Sequence, residues 1–163
     1  MKLKGKALRL LKTIHIFAAC CWLGTGVSLL LLSLGKARGW FPPEAFYGVD
    51  AAAHMADQLV LVDTGVLLCV VTGLIYGLFT DWGFFRHRWI AVKWIMTAAC
   101  IGFGTWLGGL ETSLLRLSGE MGPQAASSAE YLSILRQHLI GSGMQIAAVL
   151  AMVGISVFKP WKK

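Results

Sequence analysis

Four long apolar segments, separated by polar stretches, constrain this chain more than any other feature. An α-helix needs about 20 mostly apolar residues to cross the hydrocarbon core of a bilayer. Inside lipid the backbone must satisfy its own hydrogen bonds, and helices do so within one segment. The sequence therefore predicts one all-α transmembrane domain over residues 1–163, an up-down-up-down bundle of four helices with spans at about 11–33, 58–80, 89–110 and 135–158.

The composition agrees with a membrane protein. Hydrophobic residues make up 56% of the chain and charged residues 14%, whereas about a quarter of the residues in soluble domains are charged. These values exclude a soluble enzyme, a disordered chain and a secreted domain held by disulfides. The four cysteines fall inside predicted spans, where cysteine usually packs as a small apolar residue; they are Cys20, Cys21, Cys69 and Cys100.

The positions of the basic residues predict the orientation. Lysine and arginine concentrate in cytoplasmic segments near helix ends, and one side of the predicted bundle carries eleven of the fifteen. Both termini are therefore predicted to be cytoplasmic, in the bacterial inner membrane. This bias and the attraction to anionic lipids explain the net charge of +7 without a nucleic-acid partner.

Two polar stretches at the other side, 35–57 and 111–130, are predicted to be loops because they carry glycine and proline. Helix-start signals lie within them. Asp50 is a candidate N-cap of the second helix, and Ser127 with Glu130 forms a candidate capping box for the fourth, which places the helix starts near Asp50 and Ser128. The tryptophans predicted to anchor the chain at the membrane interfaces are Trp40, Trp82, Trp89, Trp94 and Trp161.

Ionisable residues inside spans are costly and usually face a bundle interior or a cavity. His15 and Lys93 lie at a similar depth near the cytoplasmic side, on helices predicted to be diagonal. His54 and His138 lie on the other diagonal pair towards the outer side, with a depth mismatch of roughly 7 Å at 1.5 Å per residue. The helix-four stripe of Tyr131, His138, Ser142 and Gln145 is predicted to face inward.

Facing imidazoles on diagonal helices can supply the two axial ligands of a b-type haem. The sequence predicts His54 and His138 as these ligands, with His15 as a second candidate. Trp22, on the His15 stripe, with Gly26 and Gly104, would leave room for a flat ring. Alternatively, His15 and Lys93 together would hold the haem propionates or a quinone head group, because lysine supplies charge for a carboxylate or a hydrogen bond to a carbonyl.

Other interpretations of these residues stay open. Each histidine can instead make a hydrogen bond between helices, and His54 can be an interfacial polar residue. Lys93 can extend to the inner interface rather than face a site.

Three short motifs resemble a known family. The run Lys12–His15, followed by Trp22-Leu23-Gly24, the run Trp89–Lys93 and the ending Val157–Trp161 resemble small membrane proteins related to the HemJ-type protoporphyrinogen oxidase and the CopD membrane domain. The resemblance implies a haem-binding helical bundle in the bacterial inner membrane. It also implies that His15 and Lys93 are functionally important, as catalytic residues in HemJ-like chemistry.

The leading hypothesis is a haem b protein that transfers electrons to or from a quinone or a periplasmic redox partner, and it can be an oxidoreductase. HemJ-like oxidation of protoporphyrinogen is one alternative. Uptake of copper or another divalent metal through outer carboxylates and imidazoles is a second; the residues are His54, Asp57, Asp63 and His138. A structural subunit of a membrane complex is a third, and a homo-oligomer is possible in each case.

Overall fold

A computed structural model describes residues 2–81 and 83–160. Trp82 and Trp161, two of the predicted interface anchors, lie outside the described residues, as do the basic residues Lys162 and Lys163. The described helices are α1 (Gly5–Ala37), α2 (Phe46–Ala56), α3 (Leu67–Phe79), α4 (Arg88–Met121) and α5 (Ala129–Phe158), with 3-10 turns at Pro43–Ala45 and Gly122–Ser127 and a π-helical segment at Asp57–Val66.

Within residues 2–81 and 83–160, four helical stretches are long and apolar enough to cross a membrane: the first span Gly5–Ala37, the second Pro43–Phe79, the third Arg88–Ser127 and the fourth Ala129–Phe158. The first and third spans each pack against the second and fourth, so the pairs first–third and second–fourth are diagonal. The predicted all-α four-helix architecture is confirmed, and the described residues contain no strand. We call the end that carries Asp50 and Tyr131 the outer end, following the predicted orientation.

At the outer end, the helices continue well beyond the predicted spans. The second span begins at Pro43 and the third ends at Ser127, so the prediction of long loops over 35–57 and 111–130 was wrong. The reason is an apolar core at this end of the bundle, in which Phe46, Leu114 and Tyr131 are buried together. Because these side chains pack against one another, the helices remain stable without lipid around them.

The helix starts differ from the predicted caps in detail. Ser128 is the N-cap of α5, and its hydroxyl accepts a hydrogen bond from the Tyr131 N–H at 3.4 Å. Ser127, the predicted cap, instead donates to the Gln124 carbonyl at 3.0 Å. Asp50 lies inside α2 and is almost fully buried. The sequence predicted an N-cap here because the ion pair that Asp50 forms with Lys36 of the first span leaves no signal in the local sequence.

The second span contains an irregular segment of ten residues, Asp57–Val66, with π-helical geometry. The Thr64 hydroxyl donates to the carbonyl of Leu59, five residues earlier, at 2.9 Å. Gly65 in this segment lies against the backbone of Trp22 in the first span, so close that a Cβ at this position would be 2.8 Å from the Trp22 nitrogen. Such irregular turns are frequent at functional sites.

Candidate functional site

A cavity of about 340 Å³ lies inside the bundle, between its middle and its outer end. All four spans contribute to its wall. The π-helical segment supplies five of the lining residues, which makes the irregular turn part of the cavity wall. Its chemically distinctive lining residues are Trp22, Asp57, Gln58, Cys100, Glu111, His138, Ser142 and Gln145, and glycines at 26, 104 and 108 leave the space open.

The exposure of the lining residues indicates that the cavity opens sideways, between the second and third spans. The exposed lining residues belong to these two spans: Gln58 and Val62 on the second, Ile101, Thr105 and Thr112 on the third. The lining residues from the first and fourth spans include the buried Trp22, Leu29, His138 and Ser142. Because the opening runs along faces of membrane-spanning helices, it leads towards lipid.

The polar end of the cavity lies at one height in the membrane. At 1.5 Å per residue, Asp57, Glu111 and His138 are about 33, 35 and 30 Å from the inner ends of their spans. The hydrocarbon core is about 30 Å thick. These three side chains therefore lie about one hydrocarbon thickness from the inner ends of their spans, whereas Trp22 and Cys100 lie nearer the middle of the bundle.

Two carboxyl groups lie at this polar end. Asp57 and Glu111 both line the cavity, and only 9% and 3% of these residues are exposed. Asp57 Oδ2 lies 3.8 Å from the position that a Cβ of Gly108, one turn before Glu111, would occupy. Gln58 donates a hydrogen bond to Asp57 Oδ2 at 3.1 Å. Glu111 Oε1 is buried and has no hydrogen-bond partner within residues 2–81 and 83–160.

One other cavity residue carries an unsatisfied buried atom. Trp22 is 4% exposed, and its indole N–H has no acceptor in the described part of the chain. A buried polar group without a partner costs free energy, roughly 1–3 kcal/mol. Such groups are rare in native structures and are often completed by a ligand or water. The cavity therefore presents a hydrogen-bond donor near its middle and a carboxyl oxygen at its outer end.

His138 lines the same cavity, and a hydrogen bond to the first span fixes its ring. A hydrogen bond of 3.0 Å joins its Nδ1 to the Ser33 hydroxyl of the first span, and the residue is 4% exposed. Only Nε2 is left for a ligand. His54, its predicted partner, does not line the cavity; its Nδ1 is buried without a hydrogen bond to any described residue.

Above the cavity, a buried ion pair holds three spans together. Lys36 of the first span pairs with Asp50 of the second and also donates to the Tyr131 hydroxyl of the fourth at 3.1 Å. The Tyr131 hydroxyl in turn donates to Asp50 at 2.8 Å. The lysine charge is therefore committed to Asp50, and the network closes the outer end of the bundle.

His15 and Lys93, the two residues of the predicted inner site, each contact a different neighbour. His15 Nδ1 is 2.7 Å from the Thr72 hydroxyl of the second span, and its ring makes an edge contact with Tyr76. Lys93 donates to Ser156 of the fourth span at 2.7 Å. Neither His15 nor Lys93 lines the cavity.

The structure thus divides the residues predicted from sequence. Trp22 and His138 lie on the cavity, and the stripe residues Ser142 and Gln145 face it as predicted. Asp63 is exposed on the outside of the second span. Among the described residues, no three His, Cys, Asp or Glu side chains come together as a metal site.

Glu111 was not predicted as a site residue, because the third span was expected to end at residue 110. The helix continues to Met121, and Cys100, Gly104 and Gly108, which share one helical face, are followed on that face one turn later by Glu111. Continuing this spacing past the presumed helix end is the signal that would have found it.

The chain belongs to the family described as "Predicted integral membrane protein (DUF2269)", whose model matches residues 9–160 and so covers all four spans. No curated protein and no solved structure matches the chain. The relation to HemJ-type and CopD proteins, which the short motifs indicated, stays a prediction.

Proposed function

We propose that this integral membrane protein binds an isoprenoid quinone or quinol in the cavity, as a membrane component of electron transfer. The observation that carries the proposal is that the cavity holds two buried polar atoms without partners among the described residues, Trp22 Nε1 and Glu111 Oε1, while its exposed lining residues lie on the second and third spans. A ligand that enters between these two spans must dissolve in the membrane and carry polar atoms on its head group. Quinones meet both requirements.

The dimensions and chemistry of the cavity support this class of ligand. A volume of about 340 Å³ is near the lower end of the range for small-molecule pockets, roughly 300–1,000 Å³. This size suits a single ring, whose isoprenoid tail would extend through the opening into lipid. Trp22 and Gly104 both line this space, so a bound ring would lie near the indole and the backbone of Gly104.

Hydrogen bonding supports it as well. A quinone ring carries two carbonyl acceptors, and the Trp22 N–H is a buried donor without an acceptor. A quinol carries hydroxyl donors, which the free Oε1 of Glu111 can accept. Each ligand form therefore satisfies a buried group that is otherwise unpaired, and this gain adds to the burial of the apolar ring.

The test measures the binding of decylubiquinone to the purified protein in lipid nanodiscs, with the quenching of tryptophan fluorescence as the signal. Gly104→Phe fills the cavity, while Gly102→Phe places the same ring on an exposed helix position with no atom within 4 Å of its Cβ. We expect saturable quenching in the wild type and in G102F, and at least a tenfold weaker affinity in G104F. Equal affinity in both variants would refute the proposal.

Haem b is a second candidate, and His138 is the observation that favours it. A haem-ligating histidine usually holds its other ring nitrogen in a hydrogen bond, which fixes the ring, and Ser33 holds Nδ1 of His138 in this way. The cavity has one imidazole on its wall, because His54 and His15 lie elsewhere. His138 alone would hold the iron, and Trp22 would contact the macrocycle. A bound haem would supply one-electron transfer.

Titration with haemin separates the two ligands. If His138 ligates haem, His138→Ala loses the Soret change at one equivalent, while His87→Ala in the inner loop retains it. An identical titration in both variants would rule out His138 as the ligand. A quinone needs no metal ligand, so loss of His138 as a ligand would not by itself prevent decylubiquinone binding. The haemin and decylubiquinone titrations therefore distinguish the two candidates.

A further inference from the structure

We propose that Ser33 is a positioning residue for His138: its hydroxyl donates to Nδ1, so the neutral ring carries its one hydrogen on Nε2 and donates it to a carbonyl oxygen of the ligand in the cavity. The ligand part of this inference rests on the proposed function, whereas the position of the ring hydrogen rests on the geometry of the two side chains. Ser33 itself does not line the cavity.

The hydroxyl of Ser33 bonds to the histidine and not to its own helix. Elsewhere on α1, the hydroxyls of Thr13 and Ser28 donate to the carbonyl four residues earlier, at 3.2 and 3.0 Å. Ser33 is 3% exposed, and within residues 2–81 and 83–160 its hydroxyl has one hydrogen-bond partner, Nδ1 of His138 at 3.0 Å. Because a buried hydroxyl that donates to nothing is rare, the hydrogen of this bond belongs to Ser33, and Nδ1 accepts it.

The surroundings of His138 favour a neutral ring. The residue is 4% exposed, and in the described part of the chain no carboxylate forms an ion pair with it. Asp57 and Glu111 line the same cavity, and Lys36 of the first span is paired with Asp50. A buried charge without a partner is costly. A neutral imidazole carries one hydrogen, so a ring that accepts at Nδ1 carries its hydrogen on Nε2.

Nε2 is the polar atom that His138 offers to the ligand space. The residue lines the cavity, whereas Nδ1 is bonded to Ser33 of the first span. An N–H group at Nε2 is a donor, and a carbonyl oxygen is the acceptor that a quinone carries. Together with the indole N–H of Trp22, it gives the cavity a second donor for the carbonyl groups of a quinone.

The same ring form disfavours haem. A neutral imidazole binds iron through its unprotonated nitrogen, and Nε2 has no free lone pair when it carries the hydrogen. Haem ligation would require the hydrogen on Nδ1, and the Ser33 hydroxyl would then lose its acceptor among the described residues. The position of this hydrogen therefore separates the two candidates of the proposed function.

The first test needs no ligand. NMR of the protein in lipid, isotope-labelled at the nitrogens of its histidine rings, measures which nitrogen carries hydrogen, and loss of signals in His138→Gln assigns this ring. We expect hydrogen on Nε2 alone in the wild type, in Ser33→Thr, which keeps the hydroxyl, and in Ser28→Ala, an exposed control on the same helix. Ser33→Ala removes the donor, so its Nδ1 signal should move. Hydrogen on Nδ1 in the wild type, or an S33A spectrum equal to the wild type, would overturn the inference.

The second test measures decylubiquinone binding in nanodiscs. His138→Ala removes the donor and should weaken the affinity about fivefold or more. His138→Gln places an amide N–H near the position of Nε2 and should recover most of this loss. Ser33→Ala should bind about threefold more weakly, and S28A as tightly as the wild type. Equal affinity of H138A and the wild type would overturn the role of Nε2 as a donor. Failure of all binding, with the expected NMR spectrum, would instead refute the proposed function.

Discussion

Gly65 determines how closely the first and second spans approach, and Gly65→Ala tests this contact. A Cβ at this position would lie 2.8 Å from the Trp22 nitrogen, 2.9 Å from its Cα and 3.0 Å from its Cβ. Ordinary contacts of this kind begin near 3.4 Å. The two spans must therefore separate by roughly 0.6 Å, and backbone atoms cannot rotate away as a side chain can.

Overpacking of this size costs about 1–3 kcal/mol, so we expect G65A to lose about this much free energy of unfolding. Gly24→Ala is the matched control, because its Cβ meets no atom within 4 Å. It should keep wild-type stability or gain up to about 1 kcal/mol from higher helix propensity. The assay is reversible unfolding by SDS in mixed micelles, monitored by tryptophan fluorescence. Equal stability of G65A and G24A would show that the spans are not in close contact here.

Two further predictions use the same unfolding assay. Lys36→Met leaves the Asp50 carboxylate buried without its cation and should lower the free energy of unfolding by about 3–5 kcal/mol. The double variant with Asp50→Leu should recover most of this loss. An equal loss in the single and the double variant would contradict a buried ion pair. Ser128→Ala removes the N-cap of α5 and should lower the free energy of unfolding by about 0.5–2 kcal/mol. Ser127→Ala should change it much less. A larger loss in S127A than in S128A would show that Ser127 is the N-cap.

The sequence alone was enough to identify the membrane spans and several cavity residues. Lipid imposes a simple length rule, so four apolar segments predicted four helices. The inward stripe of His138, Ser142 and Gln145 was also recognisable, because polar groups avoid lipid and helical spacing puts all three on one face. These features depend on local sequence, and the structure places these three residues on the cavity, whereas Tyr131 of the same stripe bonds to Lys36 and Asp50 at the outer end.

The outer end was not predictable in the same way. Lys36 and Asp50 each look like ordinary residues near a membrane surface, and only the packing of three helices makes them a buried pair. The π-helical segment has no sequence signature that distinguishes it from an α-helix, yet it changes which residues of the second span face inward. Asp57 lies on the cavity wall, whereas His54, one turn earlier, does not.

The most direct test of the central claim is to map where a quinone binds. The purified protein in lipid nanodiscs is labelled with a photoreactive azidoquinone, and the modified peptides are identified by mass spectrometry with excess decylubiquinone as competitor. We predict competed labels in 57–66 and 100–112, the two faces that border the opening. Labels spread over the lipid-facing surface, or insensitive to the competitor, would contradict a quinone site in this cavity.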